Sequence, residues 1–249
     1  MADPLSDQTI QLGPNEWAQI DLSVVAPGSV PSQEELRSWF DPRDTRLSAI
    51  PVGQGGRSAA WFVTIRHLQG VLRQYRRGGL AAKILRTEYV WTGLAKTRAF
   101  AEFALLGRMH RAGLPVPQPI AARVFRKGLF LYEAALLTVR IPDARPLALT
   151  TDATLWAQAG REIARMHAFG VWHADLNVYN IMVDAEDQIW LIDFDRSRYG
   201  GINQGLRTEN LSRLLRSIRK VVPKQEQVGW PALRRAYDQA WVGFTEHME

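Results

Sequence analysis

Val171 to Phe194 reads VWHADLNVYNIMVDAEDQIWLIDF, and its pattern narrows the fold more than any other part of the chain. It sets Asp175 and Asn180 in one loop, then reads as a strand over Ile181 to Val183, a polar turn, a second strand over Ile189 to Ile192, and Asp193 at that strand's end. A hairpin of that length carries Asn180 and Asp193 to the same end. Short oxygen-bearing side chains gathered there suit a hard cation such as Mg²⁺ and a proton acceptor. The chemistry expected is phosphoryl transfer.

In this stretch the chain resembles the protein-kinase-like phosphotransferases, whose catalytic loop has the form His-x-Asp-x-x-x-x-Asn followed by Asp-Phe-Gly. His173, Asp175, Asn180, Asp193 and Phe194 fall on that pattern, with 180 − 175 = 5 and 193 − 175 = 18. The resemblance implies that Asp175 orients the attacking hydroxyl and accepts its proton. It implies that Asn180 and Asp193 hold the metal bridging the phosphates of ATP, and that His173 supports the loop. Taken residue by residue, Asp and Asn also favour turns, and His173 alone reads as a packed core histidine.

The upstream half must then supply a nucleotide clamp. GQGGRSAAWFV stands between two strand-like runs, and Gly53, Gly55 and Gly56 would let backbone amides approach phosphate oxygens. Glycine clusters are also ordinary in hairpin turns. A kinase-like site further needs a cation on the third strand and a glutamate on the helix after it. Arg73 in GVLRQY takes the place where the family usually has lysine, with Lys83 as the reserve candidate. Glu102 lies on a helix face with Leu105, Leu106 and Met109, where a carboxylate wants a cationic partner. Arginine is a planar fork and lysine a point charge, so the exchange is not neutral.

Residues 1–46 are rich in Pro, Ser, Asp and Gln and read as short strands or a lead-in arm. Residues 47–137 read as a β-rich lobe with one main helix, Thr97 capping it and Gly113 ending it. Within that lobe a strand pair turns at Arg126, Lys127 and Gly128. Residues 138–249 read as mainly helical, with helices from Asp152 to Ala168, Leu206 to Val221 and Trp230 to Glu246. The expected class is α+β with a bilobal, protein-kinase-like fold.

Composition agrees with an ordinary globular chain: 249 residues, 46% hydrophobic and 22% charged. With no cysteine, disulfides and thiolate chemistry are excluded. Lys and Arg number 31 against 25 for Asp and Glu, giving a formal charge of +6 and an expectation of an anionic partner. The acidic start MADPLSDQ does not read as a secretory signal, and the longest apolar run, Leu129 to Val139, is too short to span a membrane.

Two departures from protein kinases bear on the acceptor. Asn177 stands two after Asp175, where protein Ser/Thr kinases carry lysine, and Phe194 is followed by Asp195 rather than glycine. Only RSRYGGINQGLRTEN separates Asp195 from the next helix, leaving no peptide-docking segment. The segments GGRSAAWFV, VLRQYRRGGL, YVWTGLAKTRAFAEFALL, GLPVPQPIAARV, LLTVRIPDARPL, HADLNVYNIMV, LIDFDRSR and NLSRLLRSIRK together resemble the 3-deoxy-D-manno-octulosonic acid (Kdo) kinases of the lipopolysaccharide-kinase branch, over about residues 50–221.

That resemblance implies ATP- and Mg²⁺-dependent phosphorylation of a Kdo hydroxyl, the 4-hydroxyl being expected, on a Kdo-bearing lipid A precursor. It places the protein at the cytoplasmic face of a Gram-negative inner membrane or in the cytoplasm, touching the membrane surface and binding no nucleic acid. Clustered Arg73, Arg76 and Arg77 suit such an anionic glycolipid. Arg213, Arg216 and Lys220 give the helix Asn210 to Lys220 a basic side, which reads either as a lipid contact or simply as a solvated face. Two alternatives stand beside this reading: a related kinase for core heptose or another small hydroxylated substrate, and a non-catalytic kinase-fold module for anionic glycolipid or nucleic acid.

Overall fold

The structure is a computed structural model that describes residues 7–25, 29–52, 60–75 and 89–246. The chain divides into two compact units, residues 1–107 with 118–140, and residues 108–117 with 141–249.

The first unit is built on strands β1 (Asp7–Gly13), β2 (Glu16–Asp21), β3 (Ile50–Pro51), β4 (Ala60–Ile65), β5 (Leu68–Gln74), β6 (Tyr89–Val90), β7 (Pro119–Lys127) and β8 (Leu131–Val139). Its short helices are α1 (Leu22–Val25) and α2 (Gln33–Ser38), and the long α3 (Arg98–Arg111) starts in it, its last four residues being counted with the second unit. The strands form one antiparallel sheet in the order β1-β2-β7-β8-β5-β4-β3, with β6 on β8. β7 and β8 make the expected hairpin; Gly128 takes φ +65° in its turn, a conformation that favours glycine.

From the stretch before residue 47, set apart by its composition, β1 and β2 continue this sheet. β2 pairs with β7, Glu16 facing Phe125, so its partner lies a hundred residues downstream where no local pattern announces it. Leu12, Ala18, Ile20, Leu36, Trp39 and Phe40 then bury one core with Val63, Ile65, Leu72 and Leu137. The expected boundary at 137/138 falls inside β8.

α3 begins at Arg98, but Thr97 does not cap it with its hydroxyl, which donates back to the Leu94 carbonyl at 2.6 Å. The Arg98 N–H, in the first turn where no helical carbonyl precedes it, donates to the Tyr132 hydroxyl at 3.1 Å. Gly113, at φ +74°, follows the helix end as expected.

The second unit contains β9 (Arg145–Pro146), α4 (Ala153–Ala168), β10 (Val171–Trp172), β11 (Ile181–Val183), β12 (Ile189–Leu191), β13 (Arg198–Tyr199), α5 (Gln204–Val221) and α6 (Gly229–Glu246). Asp152 caps α4 by accepting from the Thr154 N–H at 2.8 Å, and Asn203 caps α5 by accepting from Leu206 N–H at 2.9 Å. α4 and α6 press backbone to backbone at Gly160, where a Cβ would stand 2.1 Å from the Leu233 carbonyl oxygen. Only glycine permits that approach.

Candidate active site

In the first unit, β5 carries Arg73 and α3 carries Glu102, and their side chains meet: Arg73 Nη2 donates to Glu102 Oε2. The pair expected from the sequence therefore forms, with Arg73 in the place of lysine. Glu102 is 3% exposed, and the tyrosine two residues after Arg73 joins it. Tyr75 donates its hydroxyl to Glu102 and accepts from Arg73 Nη2 at 3.3 Å. Burial, then the neighbouring Glu102 carboxylate, raises the Tyr75 phenol well above its ordinary range. The guanidinium groups of Arg73 and Arg98 lie 5.0 and 5.3 Å from the Tyr75 ring centre. The i, i+2 spacing that puts Tyr75 on the Arg73 face of the strand was the available signal for it. Gly53, Gly55, Gly56, Arg76, Arg77 and Lys83 lie outside the described residues.

In the second unit, the loop from His173 to Asn180 follows β10 and precedes β11. Fully buried His173 holds it from within. Its Nε2 bonds the Ile192 carbonyl at 3.0 Å, which can only accept, so Nε2 carries the proton. Nδ1 then accepts from the Asp175 backbone N–H at 3.1 Å. Burial lowers the His173 pKa, keeping the ring neutral for both bonds. The Phe194 ring packs 4.6 Å from the imidazole. His173 supports the loop and leaves no ring nitrogen for chemistry.

Asp175 is the exposed member, its side chain 62% accessible. Asn177 donates Nδ2 to Asp175 Oδ2 at 3.1 Å, so the residue that departs from the protein-kinase pattern orients the carboxylate. Asn180 donates Nδ2 to the Asp175 carbonyl at 2.9 Å. That use of the amide nitrogen leaves Asn180 Oδ1 as the atom for a cation.

The hairpin does what its spacing promised. Ile181 faces Leu191 and Val183 faces Ile189, and one step further the Ile192 N–H donates to the Asn180 carbonyl at 3.0 Å. Asp193 follows directly, in the left-handed region at φ +62°. The far turn is tied by Asp184, which accepts from Glu186 and Gln188 N–H at 3.1 and 2.8 Å and from Trp190 Nε1 at 2.7 Å. Among the described residues no cluster of three His, Cys, Asp or Glu side chains forms. One amide oxygen and one or two carboxylates nonetheless suit Mg²⁺, which keeps waters and phosphate oxygens as further ligands.

α5 is stapled to this loop at two points. Asn210 Nδ2 donates to the His173 carbonyl at 2.7 Å, and Asn210 Oδ1 accepts from the His173 N–H at 3.0 Å and from His167 Nε2 at 3.1 Å. About two turns further on, Ser217 Oγ accepts from the Val178 N–H at 3.2 Å. Between them Arg213 reaches Asp175, Nη1 to Oδ1 being 3.7 Å. The basic side expected on this helix thus begins with an arginine beside the loop's exposed carboxylate, while Leu211, Leu214 and Ile218 are buried.

Residues 45–237 match the Lipopolysaccharide kinase (Kdo/WaaP) family. The chain is 45% identical over 210 residues to a 3-deoxy-D-manno-octulosonic acid kinase of Stenotrophomonas maltophilia strain K279a, covering 81% of this chain and 84% of that protein. It is 44% identical over 195 residues to one from Vibrio vulnificus strain YJ016, covering 76% and 81%. Among solved structures, a glucosamine kinase in complex with glucosamine, ADP and inorganic phosphate aligns with 97% of this chain and 83% of its own at a TM-score of 0.52 and 14% identity, a likeness of fold alone. The fold is α+β and kinase-like, as the catalytic-loop spacing led one to expect, and with the match spanning most of its length the chain belongs to the lipopolysaccharide kinase (Kdo/WaaP) family.

Proposed function

We propose that the protein transfers the γ-phosphoryl group of ATP to a hydroxyl of a Kdo residue on a lipid A precursor, the 4-hydroxyl being the expected acceptor. The observation that carries the reading is the exposed Asp175 carboxylate, oriented by Asn177 in a loop that His173 and Asn210 hold from beneath. Relatives at 43–45% identity bear the Kdo kinase name, which supports the acceptor.

In this reading Asp175 orients the acceptor hydroxyl and takes its proton as the oxygen bonds to the γ-phosphorus and ADP departs. Asn180 Oδ1 and Asp193 are the groups for Mg²⁺, which would offset the charge of the phosphates when bound. Positioning and charge neutralisation supply most of the rate in such transfers. The Arg73, Tyr75 and Glu102 cluster is the cationic element assigned to the nucleotide phosphates. No helix among the described residues is long and apolar enough to cross a membrane. Work at the cytoplasmic face of the inner membrane is proposed from the substrate, a lipid-borne sugar, and from the +6 charge.

The test incubates the purified chain with labelled ATP, Mg²⁺ and a Kdo-bearing lipid A precursor, beside the same precursor lacking Kdo. Transfer that requires both Kdo and Asp175 is expected. Salt-sensitive binding to both lipids without transfer would replace the reading with that of a binding module.

A further inference from the structure

Beside the catalytic loop the second unit has an open hollow of about 450 Å³, lined by Trp172, Arg198, Tyr199, Leu206 and Glu209 among others. That is the size range of small-molecule sites. Its floor is the two-stranded β10–β13 ladder, in which Trp172 faces Arg198 across the register. Its wall is the first part of α5. The floor belongs to the catalytic loop by covalent continuity, since Trp172 directly precedes His173, and by a hydrogen bond from the Ala174 N–H to Ser197 Oγ at 3.1 Å.

The wall leads to the reacting carboxylate. Leu206, Glu209, Arg213 and Ser217 follow one another at spacings of three and four, so they share a face of α5. Glu209 lines the hollow, and Arg213 is 3.8 Å from Glu209 and 3.7 Å from Asp175. Both separations exceed a hydrogen bond. Arg213 Nε has no hydrogen-bond partner either. The guanidinium is therefore held by a helix stapled at Asn210 and Ser217, with most of its donors unspent, just beyond the hollow's lining and between Glu209 and Asp175.

We infer that this hollow takes the acceptor sugar, and that Arg213 binds the sugar's carboxylate while Asp175 meets the hydroxyl. The inference rests on the function proposed above and names the group that recognises its substrate. Arginine matches a carboxylate with a two-pronged fork of N–H donors. The indole of Trp172, with the Arg198 guanidinium 5.7 Å from its ring centre, offers the sugar's C–H face an aromatic floor. The chemistry of a 3-deoxy-2-ulosonic acid completes the fit. Carbon 1 is the acid, carbon 2 carries the glycosidic bond and carbon 3 has no hydroxyl, so the free hydroxyl nearest the acid is on carbon 4. Neighbouring groups on the ligand thus meet neighbouring groups on the protein.

The test is equilibrium titration of the protein with the methyl glycoside of Kdo and with its carboxamide, which keeps the ring and loses the charge. The wild type should prefer the acid by roughly tenfold to a hundredfold, the usual strength of a charge-assisted bond. Arg213→Gln should remove that preference with the KM for ATP unchanged, and Arg213→Lys should restore part of it. Glu209→Gln, which deletes a competing carboxylate, should tighten the acid and leave the carboxamide as it was. Trp172→Ala should weaken both forms alike. Arg213→Gln weakening both forms equally, or raising the KM for ATP, would overturn the assignment. Failure of the function itself looks different: the wild type would discriminate acid from carboxamide yet transfer no phosphate.

Discussion

Two of the arginine–carboxylate pairs among the described residues, Arg73–Glu102 and Arg213–Asp175, are opposites. Arg73 and Glu102 are closed on each other, with Tyr75 as a third partner and the Glu102 side chain 2% exposed. Arg213 and Asp175 stand 3.7 Å apart with 36% and 62% of their side chains exposed. The first pair is closed within the fold, so its removal should be felt as lost stability together with weaker ATP binding. The second leaves donors and acceptors unspent, and its removal should be felt as lost turnover. Burial, more than residue type, separates a strut from a reacting group.

The largest effect expected is that of Asp175→Asn. Turnover should fall about a thousandfold or more while the thermal midpoint stays where it was. A large loss of stability would erase the contrast between the pairs. Next comes Glu102→Ala, which leaves the Arg73 guanidinium without its buried partner and should cost roughly 3 kcal/mol in a denaturant titration; an unmoved midpoint would make the closed pair as dispensable as an exposed one.

The second unit also has a closed interior, and pH reaches it. Burial depresses His167 from 6.5 to about 4. Above pH 6.5 the ring is neutral folded or unfolded and stability is complete. As pH falls from there to about 4, the unfolded chain takes up a proton that the folded one refuses. Stability should therefore decline by about 1 kcal/mol per pH unit across that window. A flat profile there would contradict the burial. The smallest effect is that of Asn177→Ala, which frees an exposed carboxylate from one hydrogen bond and should slow turnover by about fivefold with the KM for ATP unchanged.

What could be read from the sequence was what lies close along the chain. His173, Asp175, Asn180 and Asp193 sit within one loop and one hairpin, so spacing alone gathered them. The helices were legible because their apolar periodicity and end residues such as Asp152 and Gly113 form a local code. Arg73 and Glu102 were reachable because a charge on an apolar helix face demands a partner.

What escaped was long-range. β2 finds β7 a hundred residues away, and its own alternation names no partner. Asn210 and Ser217 brace the loop from 37 and 39 residues downstream. Arg213 looked like one more cation on a basic helix face until the fold laid that face along Asp175.

The bracing amide has a spectroscopic consequence. The His173 backbone fixes the orientation of the Asn210 amide, whose oxygen then requires a proton on His167 Nε2, leaving Nδ1 to accept from the Tyr237 hydroxyl at 2.8 Å. His173 is the same tautomer, its own Nε2 proton held by Ile192. Two imidazole protons are thus locked in the interior, each able to exchange with solvent only when its bond opens. Their nitrogen-bound proton resonances would report, without any label on substrate or loop, how often the loop from His173 to Asn180 lets go of the helix beneath it.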